Sequence, residues 1–145
     1  MIQHAWSILC TKSIVDPETK NMTVVEVIEQ LNLAPNTTFP VIVPFQMEFV
    51  STWYRSDPNQ GERGTGRLGI ANPDGTAVAG NQFAIDLTAF YRAHVVVRSS
   101  GIGLVAAGVY QFVVDVKGEG REDWQTVARI PLNVAVAVAD AAPQQ

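Results

Sequence analysis

The fold class is decided by residues 41–54, which read VIVPFQMEFVSTWY. Apolar side chains occupy alternate positions of this stretch, at Val41, Val43, Phe45, Met47, Phe49 and Trp53. This alternation is typical of a β-strand that covers a hydrophobic core with one face. Pro44 has no N–H to donate to a neighbouring strand, so we expect an edge or a bulge at that end.

The composition supports one β-rich domain. The chain has 145 residues, of which 47% are hydrophobic and 17% charged, so a packed core is expected and disorder is not. It contains 20 valines and 9 isoleucines but only 7 leucines, and this excess of β-branched side chains favours strands over helices. We therefore predict a single domain over residues 1–140, followed by a frayed C-terminal tail at 141–145.

Further runs with strand character follow one another between turn signals. The predicted strands lie at residues 5–11, 23–33, 41–54, 67–71, 76–87, 90–98, 109–117 and 124–138. Residues 23–33 also fit helical spacing, but the Val24-Val25 pair and the preceding turn favour a strand. Because no helix separates the strands, we predict an antiparallel sandwich of two sheets, immunoglobulin-like or jelly-roll-like, with about seven to nine strands.

Three short segments carry a resemblance to a known family. They are Ile8-Leu9-Cys10 with the Asp16-Pro17 turn that follows, the turn Asn72-Pro73-Asp74-Gly75, and the run from Ala128 to Val134. In these segments the chain resembles a bacterial family of uncharacterised β-sandwich proteins, a domain of unknown function. The resemblance implies a β-sandwich over most of the chain, and it implies no activity and no site residue.

The charge balance and the cysteine content argue against several classes of function. The net charge is −4 and the pI is near 5.0, with no basic stripe to neutralise phosphates, so a nucleic-acid partner is not expected. Cys10 is the single cysteine, so no internal disulfide forms. The N-terminus lacks the pattern of a secretory signal, and no apolar run approaches the roughly 20 residues of a membrane helix. We expect a cytoplasmic protein without a membrane partner.

Two glycine-rich segments mimic nucleotide-binding motifs. Residues 64–69 read GTGRLG and match G-x-G-x-x-G, but the turn at 72–75 leaves no room for the helix that this motif opens. Residues 101–108 lack the Lys-Ser/Thr pair of a P-loop. We interpret the first segment as a loop that leads into a strand, and the second as a turn.

Catalytic and metal-binding residue types are scarce. His4, His94 and Cys10 do not have the spacing of a zinc site, and no G-x-S-x-G nucleophile motif is present. We expect Cys10 to be buried in an apolar strand and therefore inert. A triad through His4 or His94, or a pair of facing carboxylates, stays open at this point. We expect no cofactor and no metal.

Aromatic residues and arginines around the polar loop at 55–64 form the candidate binding surface, because Tyr, Trp and Arg are favoured at recognition hot spots. The candidate residues are Trp53, Tyr54, Arg55, Arg63, Arg67, Arg92, His94 and Arg98. In the alternative interpretation Trp53 belongs to the core and the arginines to a solvated rim. The last strand reads VAVAV at 134–138 and is apolar on both faces, so we expect it to be either central in a sheet or buried against a partner.

The sequence favours a non-catalytic module that binds a protein partner or assembles with itself as a homo-oligomer. Two other functions stay open, since a fold alone does not decide among them. A shallow, aromatic-lined surface would indicate a carbohydrate-binding module. A cleft that holds His94 with an acid, or two facing carboxylates, would indicate a small hydrolase with a dispersed site.

Overall fold

A computed structural model describes residues 1–139, except for the side chain of Ala79. Over this range the protein is all-β and contains no helix, and thus no helix that could span a membrane. The strands are β1 (Gln3–Val15), β2 (Met22–Val27), β3 (Gln30–Leu33), β4 (Val41–Val43), β5 (Met47–Tyr54), β6 (Glu62–Ala71), β7 (Ala77–Leu87), β8 (Arg92–Ser99), β9 (Ile102–Leu104), β10 (Gly108–Gly118) and β11 (Gln125–Val136). The predicted tail at 141–145 lies outside the described residues.

The strands form three sheets. Sheet A has the order β2-β1-β5-β8, sheet B has the order β3-β11-β10-β6-β7, and sheet C pairs β4 with β9. Every pair of neighbours is antiparallel except β3 with β11, which is parallel. Side chains of sheets A and B meet in one core, where the ring of Phe83 lies 6.2 Å from Phe49 and 6.3 Å from Trp53. These two sheets are the layers that enclose the core.

The prediction of seven to nine strands in two sheets is wrong, because the described residues form eleven strands in three sheets. Residues 41–54 divide into β4 and β5, which belong to different sheets, since Pro44 cannot continue the ladder. Residues 23–33 divide into β2 and β3, because the chain crosses from sheet A to sheet B at Ile28 and Glu29. The segment at 101–108, interpreted as a turn, contains β9.

The first glycine-rich segment is part of a strand. Residues 64–69 lie inside β6 rather than in a loop, which corrects the interpretation made from the sequence. Gly66 leaves room for the ring of Phe83, since a Cβ at this position would overlap that ring. The predicted turn at 72–75 is confirmed by a 2.9 Å hydrogen bond from the Gly75 N–H to the Asn72 carbonyl.

The hairpin of β1 and β2 folds over the outer face of sheet A. Cys10 pairs with Glu48 of β5, yet Ser13 also reaches Glu48, donating from its N–H and its Oγ to Oε2 at 2.8 and 2.9 Å. In a straight strand Ser13, three residues after Cys10, would lie about 10 Å beyond the pair of Cys10 and Glu48, so β1 must bend. Lys20, in the turn of the hairpin, lines the same cleft as His94 of β8. Val50, which pairs with Ile8 of β1 and Val96 of β8, is 0% exposed.

The last strand lies inside a sheet. Val134 of β11 pairs with Gly108 of β10 on one side and with Leu31 of β3 on the other, so the strand is central. The free edges of the two large sheets therefore belong to β2 and β8 in sheet A, and to β3 and β7 in sheet B.

Candidate functional site

The predicted surface around residues 53–67 is not one surface. Trp53 is 0% exposed and belongs to the core, where its Nε1–H donates to Ser51 Oγ at 2.7 Å. Arg55 ties down the loops next to it, since its guanidinium donates to the carbonyls of Leu87, Pro58 and Thr88 at 2.7 to 2.9 Å. The alternative interpretation of Trp53 as core is correct, and Arg55 has a structural role.

Arg63 and Arg67 lie on the outer face of sheet B. The Arg63 Nε is 3.8 Å from Asp86 Oδ1, in an exposed pair. The Arg67 guanidinium donates from Nε and Nη2 to Asp115 Oδ2 at 3.1 and 2.8 Å, and its Cζ lies 4.1 Å from the centre of the Trp124 ring. These two arginines therefore do not join the residues of β8, which belong to sheet A.

Tyr54, Arg92, His94 and Arg98 are the predicted site residues that the fold does bring together. In the register of β5 with β8, Tyr54 lies opposite Arg92, Thr52 opposite His94, and Glu48 opposite Arg98. The His94 Nδ1 is 2.8 Å from Thr52 Oγ1, and the Arg98 Nε is 3.2 Å from Glu48 Oε1. The outer face of sheet A thus carries three basic side chains along β8.

Strand β8 is an open edge in its hydrogen bonding, although β7 of sheet B packs close to part of it. None of its eight residues is buried, although seven of the eight residues of its neighbour β5 are. The Arg55 N–H donates to the Tyr91 carbonyl at 3.0 Å, so Arg55 and Tyr91 form a hydrogen-bonded pair. In an antiparallel ladder every second residue pair is hydrogen-bonded, so this pair shows which residues of β8 bond to β5. Ala93, Val95 and Val97 therefore use their backbone groups to bind β5. The N–H and C=O groups of the alternate residues, Arg92, His94, Val96 and Arg98, point away from β5 to the edge.

A cationic cleft adjoins the start of β8. It has a volume of about 460 Å³ and is lined by Lys20, Phe90, Tyr91, Arg92 and His94. Phe90 is 73% exposed, and the rings of Tyr91 and Tyr54 lie 6.0 Å apart. Burial, with the nearby Arg92 charge as a smaller cause, lowers the pKa of His94 below its ordinary value, while the Lys20 backbone acts in the opposite direction. Lys20 and Arg92 are therefore the charged groups of this cleft at neutral pH.

An apolar cleft adjoins the end of β8 and opens between sheets A and B. It has a volume of about 380 Å³, and Val97, Arg98 and Ser99 of β8 form one wall. Its apolar lining comes from both sheets and includes Met47, Phe49, Ile70 and Phe112. Pockets of this size with a mostly apolar lining and a few polar groups are typical of ligand sites.

Sequence reasoning missed much of this neighbourhood. Lys20 comes from a distant hairpin turn, and the apolar cleft forms only when two sheets pack. No local sequence pattern therefore predicts the position of Lys20 or the presence of the cleft. Phe90 and Tyr91 did carry a signal, because an aromatic pair directly precedes Arg92. The strand predicted at 90–98 includes this pair, whereas β8 begins at Arg92.

Neither histidine forms a catalytic triad within residues 1–139. His4 Nε2 is 2.6 Å from Ser7 Oγ, and burial lowers the pKa of His4, which would suit a base. Neither His4 nor His94 is hydrogen-bonded to a carboxylate in this range, and their hydroxyl partners, Ser7 and Thr52, line neither of the two clefts beside β8. No group of three or more potential metal ligands occurs among the described residues. Burial raises the pKa of the Cys10 thiol, with Glu48 as a second cause, so this thiol is unreactive.

No protein-family model and no curated protein matches the chain. Among solved structures, a family 123 glycoside hydrolase from Clostridium perfringens is similar with a TM-score of 0.49 and 8% identity. The similarity covers 97% of this chain but 28% of the hydrolase. The N-terminal domain of PorA is similar with a TM-score of 0.34 and 9% identity, over 90% of this chain and 97% of that domain. Because both TM-scores are below 0.5, neither protein informs the function, and the resemblance to a bacterial family stays a prediction.

Proposed function

We propose that this protein is a non-catalytic binding module that takes up an extended segment of a partner protein along the edge of β8. The observation that carries the proposal is the open edge itself. Four residues of β8 direct their N–H and C=O groups away from β5, and no described strand pairs with them. Addition of a strand to such an edge is a common mode of peptide recognition, in which backbone hydrogen bonds supply the affinity. We keep the predicted cytoplasmic location as part of this proposal.

The other free edges suit this role less well. β3 has only four residues, and β2 contains Glu26 with a φ of 54°, which distorts the strand. The register of β7 with β6 shifts between Leu68 and Ile70. In contrast, β8 pairs with β5 without a shift from Ser99 to Arg92 and presents eight regular residues.

The charges around β8 indicate an acidic partner. Arg92 and Arg98 are exposed on the same face, one near each end of the strand, and Lys20 adds a third cation beside Arg92. In an added antiparallel strand, side chains directly opposite these arginines would be acidic, because opposite charges stabilise cross-strand pairs. Side chains on the other face of the added strand would be apolar, since they would lie next to Val95 and Val97.

The same charges disfavour pairing of β8 with a second copy of itself. The two-fold arrangement with full overlap would place Arg92 of each copy opposite Arg98 of the other, and like charges in this position are destabilising. The predicted homo-oligomer would therefore have to use another surface. A different protein with an acidic, extended segment fits the edge better.

The proposal is tested with the synthetic peptide Glu-Phe-Thr-Val-Thr-Val-Glu and its counterpart Lys-Phe-Thr-Val-Thr-Val-Lys, by fluorescence anisotropy. The protein should bind the Glu peptide at least about tenfold more tightly than the Lys peptide. Val96→Pro removes an N–H that faces the edge and should abolish binding, whereas the matched variant Val96→Ala keeps this N–H and should bind. Equal binding by Val96→Pro and Val96→Ala, or no binding of either peptide, would refute the proposal.

A second function, carbohydrate binding, is supported by the outer face of sheet B. Side chains Gln82, Arg67, Asp115 and Thr126 form a polar row across four neighbouring strands. Gln82, Arg67 and Asp115 also line a shallow cleft of about 560 Å³, whose lining includes Gly69, Gly75 and Gly80. The amide, guanidinium and carboxylate groups of this row are of the kind that hydrogen-bond to sugar hydroxyls.

A glycan array tests this second function. Any glycan retained by the wild type should be lost in Gln82→Ala, whose side chain is exposed, and kept in Val96→Pro. Failure of the wild type to retain any glycan would eliminate the carbohydrate-binding function.

A further inference from the structure

We infer that the apolar cleft at the end of β8 is an anchor pocket for one large apolar side chain of the bound segment, placed five residues before the acidic side chain that Arg92 contacts. This inference rests on the proposed function and specifies the partner. The cleft and the open edge share residues, since Val97, Arg98 and Ser99 belong to β8 and also line the cleft. A strand that binds the edge must therefore pass the mouth of the cleft.

The register of an added strand places one side chain at that mouth. Directly opposite residues on neighbouring strands point to the same face of a sheet. Val97 packs against the core, so the residue opposite Val97 would point inward between the two sheets. Arg92 is on the outer face, five positions along β8, which corresponds to about 17 Å of extended chain. The sequence of an antiparallel segment would therefore have an apolar residue, then four intervening residues, and then an acidic residue.

The lining of the cleft is suited to an apolar guest. Met47 and Phe49 line it from sheet A, and Ile70 and Phe112 from sheet B, while Asn72, Asn81 and Ser99 supply polar groups. Arg98 is the one charged residue among the lining residues, and its side chain is held at Glu48 on the outer face. Burial of a large apolar side chain here would replace solvated apolar surface, which is the usual origin of a binding hot spot.

Glycines contribute part of the wall of the cleft. Gly80, Gly101 and Gly103 all lie in its wall and contribute no side chain. A Cβ at Gly103 would meet no atom within 4 Å, so space remains next to this residue. Gly103 alone of the three borders free space, since a Cβ at Gly80 would overlap the Leu68 carbonyl and a Cβ at Gly101 would meet the Val43 carbonyl.

The first part of the test compares peptides on the wild-type protein. Replacing Phe by Ala in Glu-Phe-Thr-Val-Thr-Val-Glu should weaken binding about tenfold or more. Exchanging Phe with the following Thr moves the ring to the outer face and should have a similar effect. Equal affinity of all three peptides, with binding still abolished by Val96→Pro, would overturn the anchor pocket and leave the proposed function intact. Absence of binding by all three would overturn both.

The second part fills the pocket. Val97→Phe places a ring in the cleft. It should weaken binding of the Phe peptide about tenfold and leave the affinity for the Ala peptide unchanged. The matched control Val109→Phe makes the same substitution at an exposed valine of β10 that does not line the cleft, so it should retain the preference for Phe. Should Val97→Phe fail to fold, Val78→Phe serves instead, because Val78 is 49% exposed and also lines the cleft. An unchanged preference for Phe in a folded, pocket-filled variant would contradict the inference.

Discussion

At the scale of single residues, the arginines show how partners decide roles. Arg55, Arg67 and Arg98 looked alike in the sequence, yet Arg55 holds loop carbonyls, Arg67 pairs with Asp115, and Arg98 pairs with Glu48 at the edge of sheet A. That these arginines make important contacts could be predicted from their residue type. Their partners could not, because all of them except the Pro58 carbonyl at Arg55 lie at least 32 positions away in the chain.

The pair of Arg67 and Asp115 should contribute measurably to stability. Asp115 also accepts a 2.6 Å hydrogen bond from Thr126 Oγ1, and its side chain is 12% exposed. Asp115→Ala leaves the Arg67 guanidinium without its acceptor and should lower the free energy of unfolding by about 2 kcal/mol. Urea denaturation measures this loss. Asp86→Ala, in the exposed pair with Arg63, is the control and should cost much less. Equal losses would contradict the assignment.

The two histidines should make stability depend on pH. Burial lowers the pKa of both His4 and His94 from 6.5, so the unfolded chain binds protons that the folded chain does not. The free energy of unfolding should be constant above pH 6.5 with respect to these groups and should fall as the pH drops below it. Denaturation between pH 7.5 and 5 measures the slope, where the carboxyls of the chain stay ionised (about pH 4 for free Asp and Glu). The double variant His4→Gln, His94→Gln should flatten it, and an unchanged slope would contradict the prediction.

At the scale of strands, alternation predicted which residues enter the core but not where strands end. Met47, Phe49 and Trp53 are buried as their alternation indicated. The same alternation runs through Pro44 without a break, so the division into β4 and β5 was visible only as a proline. The division of residues 23–33 has no such marker, because it reflects the crossing of the chain between two sheets.

The hairpin of β1 and β2 depends on Glu48. This carboxylate accepts two hydrogen bonds from Ser13 and pairs with Arg98. Glu48→Ala should lower the free energy of unfolding by about 2 to 3 kcal/mol, since it leaves the Ser13 N–H and the Arg98 guanidinium unpaired. Hydrogen exchange should also show faster exchange over residues 11–25. Glu29→Ala, which removes an exposed carboxylate, is the control. If amide protection over residues 11–25 were the same in Glu48→Ala as in Glu29→Ala, Glu48 would not hold the hairpin.

At the scale of the whole molecule, the position of β11 removes the reason to expect self-assembly through it. Val136 packs against the core and pairs with Leu33 of β3. The all-β class could be predicted from the composition, whereas the sheet order required contacts between distant strands. The open edge of β8 followed from that order and had no sequence signal of its own.

Light scattering tests this view of β11. Val136→Glu places a charge against the core and should lower the free energy of unfolding by roughly 1 to 3 kcal/mol. The solution mass of the folded variant should equal that of the wild type. A wild-type dimer that this substitution separated into folded monomers would instead place an interface on β11.

The most direct test of the central claim is amide hydrogen exchange of β8, measured residue by residue by NMR. In the free protein the amides of Arg92, His94, Val96 and Arg98 should exchange rapidly, and those of Ala93, Val95 and Val97 should be protected by β5. Saturation with the Glu-Phe-Thr-Val-Thr-Val-Glu peptide should then protect the first four. Protection of these four amides in the free protein, or their continued rapid exchange in the bound protein, would contradict the assignment of β8 as the binding edge.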